Sequence, residues 1–134
     1  MPARLFRVIL PVTDIDAAQR FYAAVLGEPG ERVSVNRHYF GDGAQGAILA
    51  CCDPRGEHGT GDAGWRMHPL QYVYIAVDDL EATRTACEAA GATEITAVES
   101  MPWGETMFYA LDPFGNPISF VKAGTEFTGG RFVR

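Results

Sequence analysis

The chain has 134 residues, 47% hydrophobic and 21% charged, which is a single-domain length with an ordinary globular balance. Seventeen acidic against eleven basic side chains leave a net charge of −6, a field that makes nucleic acid and anionic membranes poor partners. No apolar run approaches the roughly 20 residues of a bilayer crossing, and Met1–Arg7 is too short and mixed for a signal peptide, so a cytoplasmic location is expected.

In chain order, Val8–Val12 reads as a strand, with Pro11 demanding an edge or a bulge. Asp14 is a good N-cap. Ile15, Ala18, Phe21, Tyr22, Val25 and Leu26 then recur at helical spacing until Gly27. Strands are predicted at Glu31–Val35, Arg37–Phe40 and Ala47–Cys52, with a Gly41-Asp42-Gly43 turn between the last two. Residues 53–68 are glycine-rich and poor in apolar side chains, and read as a linker; Trp65 within it is either a lid or without a role.

Val73–Val77 is again a strand. Asp78 with Glu81 fits a capping-box pattern, Leu80, Thr83, Cys87 and Ala90 form a buried stripe, and Gly91 is the stop. Strands are predicted at Glu94–Glu99, Thr106–Leu111 and Ile118–Lys122. Asp112-Pro113-Phe114-Gly115 suits a type I turn, Pro117 opens the last strand, and the Gly124–Arg134 tail is expected to be loosely held. Cys51 and Cys52 point to opposite faces of their strand and Cys87 falls on an apolar helix face, so all three are expected to be buried and reduced.

Laying Val8 on Val73 also brings Val12 onto Val77, Asp14 onto Asp79, Ala17 onto Ala82 and Ala24 onto Ala89. Strand, cap, helix and glycine stop recur in the same order, so the chain contains one βαβββ unit twice. Module one covers about 4–52 and module two about 69–123. One helix stripe and one four-stranded sheet bury too little alone, so the 1–134 chain is expected to form a single α+β domain of two tandem βαβββ modules, with a cupped mixed sheet.

Two such units, with V-x-D-hydrophobic opening each helix and Asp112-Pro113-Phe114-Gly115-Asn116 before the last strand, resemble the vicinal oxygen chelate superfamily of glyoxalases, extradiol dioxygenases and bleomycin resistance proteins. The resemblance covers about residues 4 to 123. Pro102-Trp103-Gly104-Glu105 followed by the Asp112–Val121 stretch is closest to the bleomycin-resistance branch, in which a tryptophan at the Trp103 position lies in the drug cleft. The resemblance implies a ligand-holding cup and a homodimer. It also implies metal-ligand positions at the first strand of each half and in the last strand, which are occupied here by Arg7, Tyr72 and Ser119. Arginine cannot coordinate, and neutral hydroxyls are weak donors beside imidazole and carboxylate. His38, His58 and His68 lack ligand spacing and read as solvated or structural. No metal and no cofactor are expected.

Strand alternation turns Val8, Leu10 and Val12 toward the helix and Arg7, Ile9 and Pro11 toward the cup. Tyr72, Tyr74 and Ala76 follow the same rule, as do Ser119 and Val121; the strand around Phe108 and Tyr109 is apolar in both phases and cannot be assigned. The candidate ligand-binding set is therefore Arg7, Ile9, Tyr72, Tyr74, Trp103, Ser119 and Val121. Each has a plainer role open to it: Arg7 in a structural ion pair, the tyrosines as sheet aromatics, Trp103 as a core or dimer anchor. Glu105 is expected to be an exposed carboxylate rather than a buried base. There is no G-x-S-x-G elbow, and no catalytic residue is assigned. These features favour a metal-free binder of an aromatic or anionic small organic molecule, such as an antibiotic. A metal-dependent lyase or dioxygenase, or a non-catalytic dimeric subunit or regulatory protein, are the alternatives.

Overall fold

The computed structural model describes residues 2–44, 46–55 and 67–129. The chain divides into two units, Met1–Met67 and His68–Arg134. His58 and Trp65 lie outside the described residues. No helix among those described is long and apolar enough to cross a membrane.

The first unit runs β1 (Arg7–Pro11), α1 (Ile15–Leu26), β2 (Glu31–Ser34), β3 (Arg37–Phe40) and β4 (Ile48–Cys52). Its sheet has the order β1-β4-β3-β2, with β1 parallel to β4 and the other pairs antiparallel. Asp14 caps α1 by accepting the Ala17 amide at 3.0 Å, and Gly27 ends it in the left-handed region at φ 75°. The apolar helix stripe buries Ile15, Ala18, Phe21, Tyr22 and Val25. Tyr22 meets Phe40 of β3 at 6.0 Å between ring centroids, and Phe40 in turn meets His38 at 5.0 Å.

Pro11 is accommodated because β1 is the end strand of its sheet. The backbone bonds Ile48 N–H to Phe6 carbonyl and Val12 N–H to Cys52 carbonyl show that the even-numbered residues of β1 face β4. The proline nitrogen is therefore directed away from it.

The second unit repeats this plan: β5 (Val73–Val77), α2 (Leu80–Ala90), β6 (Glu99–Ser100), β7 (Thr106–Leu111) and β8 (Pro117–Lys122), in the order β5-β8-β7-β6. The register Val8↔Leu49 in the first sheet becomes Val73↔Ile118 in the second. The same topology and matching register bear out the duplication. Phe108 and Phe120 are cross-strand partners stacked at 5.2 Å, and they anchor the core with Leu80, Cys87 and Ile118.

Three local expectations need correction. The α2 cap is Asp79, which accepts the Ala82 amide at 3.0 Å, and not Asp78; the helix starts at Leu80, so only Asp79 sits where its carboxylate reaches the first-turn amides. The predicted strand Glu94–Glu99 shrinks to the two residues of β6, preceded by a Thr93↔Leu111 bridge. Six steps separate Thr93 from Glu99 but only four separate Leu111 from Met107, so the edge absorbs two extra residues, and Glu94 takes a left-handed φ of 50° to do so. The tail is held as far as Phe127: its amide donates to Glu105 at 2.8 Å, and Thr125 Oγ1 accepts the Thr106 amide at 3.2 Å.

The Asp112–Gly115 turn forms as expected, with Gly115 N–H donating to the Asp112 carbonyl. The Asp112 carboxylate also accepts the Phe114 and Asn116 amides and the Asn116 side-chain amide. Both polar side chains are buried. The motif is thus a closed hydrogen-bonded knot that sets the entry into β8.

Candidate functional site

The second unit contains a cavity of about 560 Å³. Its floor is the face of the sheet opposite α2. Tyr74 and Ala76 of β5 are the register partners of Ser119 and Val121 of β8, and those two are partnered in turn by Tyr109 and Met107 of β7. Tyr74, Ile75, Ala76 and Val121 line the cavity; Ser119 is fully buried, its hydroxyl directed to the Phe108 carbonyl at 3.4 Å. Tyr72 packs edge-on against Tyr109 at 4.8 Å. This pairing assigns Tyr109 to the cavity side and Phe108 to the helix side, a choice two apolar phases left open.

One wall is the loop from β6 to β7. Gly104 N–H donates to the Met101 carbonyl and Met101 N–H to the Glu105 carbonyl, closing a tight turn that needs the left-handed φ of 98° at Gly104. The turn projects Trp103 and Glu105 into the lining. Glu105 is only 7% exposed, which corrects the expectation of a solvated carboxylate. The reason lies in its two partners: the Trp103 indole Nε1–H donates to Oε1 at 2.7 Å and the Phe127 amide to Oε2 at 2.8 Å. Two donors from different parts of the chain satisfy the buried anion. The tail supplies the remaining wall, Glu126 and Phe127.

Tyr74 is half-exposed at 51%. Partial burial, a hydrogen bond with Tyr109 and the nearby charges of Tyr109, Glu105 and Tyr72 push its phenol up to about 12, so it is a neutral hydroxyl at physiological pH.

In the first unit, the equivalent sheet face carries Arg7, Ile9 and Pro11 on β1, opposite Ile48, Ala50 and Cys52 on β4. The Arg7 guanidinium stands 5.0 Å from the Phe6 ring centroid and 5.4 Å from that of Tyr39, and Arg37 Nη1 donates to the Tyr39 hydroxyl at 2.9 Å. Arg7 is thus placed by aromatic stacking.

Of the residues singled out from sequence, Tyr74, Trp103 and Val121 come together in the cavity, and Tyr72 and Ser119 share its sheet face. Arg7 and Ile9 lie on the first unit's sheet and do not line it. Ile75, Ala76, Glu105, Glu126 and Phe127 line the cavity without belonging to the sequence-based set, although Ala76 was already placed on that sheet face. The Trp103-Gly104-Glu105 spacing was a usable signal for Glu105, whereas nothing local marks the tail.

The model of the Glyoxalase/Bleomycin resistance protein/Dioxygenase superfamily matches residues 4–120. The chain belongs to this superfamily. A relative from Vibrio parahaemolyticus, a probable lactoylglutathione lyase, is 28% identical over 130 residues, covering 89% of this chain and 90% of its own. A glyoxalase/bleomycin resistance protein/dioxygenase family enzyme from Burkholderia phytofirmans has a TM-score of 0.71 at 21% identity, covering 90% of this chain and 98% of its own. A lactoylglutathione lyase from Agrobacterium tumefaciens has a TM-score of 0.61 at 22% identity, with 91% and 95% covered. These two structures share the fold.

Metal-dependent members of the superfamily implied ligands at Arg7, Tyr72 and Ser119. The strand registers add the first-unit counterpart of Ser119: as Ser119 partners Tyr74 in β8, Ala50 partners Ile9 in β4. A guanidinium, a phenol, a methyl group and a buried serine hydroxyl do not make a divalent-cation donor set. Among the described residues, no three His, Cys, Asp or Glu side chains converge on a common point. His38 is buried on the helix side of its sheet, with Nε2 bonded to the Pro29 carbonyl at 2.9 Å, and His68 is exposed.

Proposed function

We propose that this superfamily member is a metal-free binding protein for a small organic ligand with a flat or aromatic body, held in the second unit's cavity in the manner of antibiotic-sequestering members. The observation that carries this reading is the cavity's construction: about 560 Å³ walled by Tyr74, Trp103 and Phe127, with few polar groups among them. Broad apolar surface with a few fixed polar groups suits orientation of a small molecule rather than a macromolecule. The donor chemistry at Arg7, Ala50, Tyr72 and Ser119 supports binding without a metal. An anionic ligand group was expected on the strength of Arg7, which is not part of this lining.

A small-molecule library screened by melting temperature tests the reading, because a ligand of the native state must raise it. Trp103→Ala and Tyr74→Ala are expected to lower the affinity of any hit at least ten-fold while the fold is retained. Unchanged affinity in both variants would overturn the site, and no stabilising hit would favour a non-catalytic subunit or regulatory role.

The Vibrio relative's name favours a second reading, a metal-dependent lyase. Elemental analysis after incubation with Mn, Fe, Ni and Zn salts separates the two. Metal well below one equivalent is expected; near-stoichiometric metal with lactoylglutathione lyase activity would establish the lyase instead.

A further inference from the structure

The geometry points to an organic cation, an amine or quaternary nitrogen carried on a flat apolar body, as the ligand class of the second unit's cavity. This rests on the binding reading above and goes beyond it by naming the ligand's charge. The charged groups of the described lining are Glu105 and Glu126; no lysine, arginine or histidine is among them. Glu105 is buried and its two oxygens take neutral N–H donors, the Trp103 indole and the Phe127 amide. Neutral donors orient a carboxylate without cancelling its charge, and among the described residues no cation is paired with it. Its negative charge is therefore fixed in the wall.

Glu126 spends Oε1 on the Gly124 amide, which leaves Oε2 for a ligand at the exposed rim. Tyr74, Trp103 and Phe127 add aromatic faces, whose negative quadrupoles attract a cation within about 6 Å of a ring centroid. Apolar rings accept a flat body, whereas an anion entering the same space meets two carboxylates. Cation selection thus follows from aromatic walls, a committed buried carboxylate and a half-committed rim carboxylate acting together.

The test compares three ligands of similar shape at neutral pH: N-methylquinolinium, neutral quinoline and the anion naphthalene-2-carboxylate. Titration calorimetry with the full chain is expected to show the cation binding at least ten-fold more tightly than either of the others. Glu126→Gln should erase most of that preference with an unchanged melting temperature, and Trp103→Ala should weaken the cation at least ten-fold. Equal or tighter binding of naphthalene-2-carboxylate, itself lost in Trp103→Ala, would overturn the cation assignment and leave the binding site standing. Failure of all three to bind would overturn the site reading and the cation assignment with it.

Discussion

The Glu105 carboxylate joins two segments far apart in sequence, because its oxygens hold the Trp103 indole and the Phe127 amide at 2.7 and 2.8 Å. Removing it deletes two hydrogen bonds made to a charged group, each worth about 1.5–3 kcal/mol. Glu105→Ala is therefore expected to destabilise the protein by about 2 kcal/mol or more in urea unfolding, and to alter tryptophan emission as the Trp103 ring loses its tether. Tyr74 gives a second prediction at this scale. Its folded-state value of about 12 lies above the ordinary 10.0 of a phenol, so the unfolded chain releases this proton first as pH rises. Its contribution to stability is whole below pH 10 and is lost as pH climbs toward 12. Ultraviolet titration should show a tyrosine phase near pH 12 that disappears in Tyr74→Phe.

The elements owe their boundaries to a few capping and turn residues. Asp14 and Asp79 each accept a first-turn amide at 3.0 Å, so Asp14→Ala and Asp79→Ala should each cost about 1 kcal/mol in denaturant midpoints. Asp78→Ala, lacking that contact, should cost little. Gly30 is more demanding: its φ is 64°, and a Cβ there would lie 2.7 Å from both the Phe40 ring and the Tyr39 carbonyl oxygen. The backbone carbonyl cannot rotate aside as a side chain would. Gly30→Ala is thus expected to cost more than about 1 kcal/mol by the same measurement.

The whole molecule repeats one topology twice and then uses the two copies differently. Arg7, Tyr39 and Arg37 occupy one face of the first unit's sheet, whereas Tyr72, Tyr109 and the cavity residues occupy the matching face of the second's. The homodimer implied by the superfamily resemblance is a proposal at this scale. Light scattering coupled to size exclusion should give twice the chain mass, and the mass of a single chain would refute it.

The sequence by itself determined what depends on neighbours along the chain: the helices, their glycine stops, most of the strands, the duplication and the superfamily resemblance. Such features are legible because amphipathic spacing and caps involve residues within a few positions of one another. The Glu94–Glu99 strand was misread because a two-residue excess shows only when the edge is laid against Leu111 and Met107. The phase of β7 was undecidable locally; the Phe108–Phe120 stack and the Tyr72–Tyr109 contact decided it. Tertiary structure alone decided that Glu105 is buried and that the tail forms a cavity wall. Both depend on the Phe127 amide, which reaches Glu105 across 22 positions, and no local pattern encodes which distant amide will satisfy a buried carboxylate.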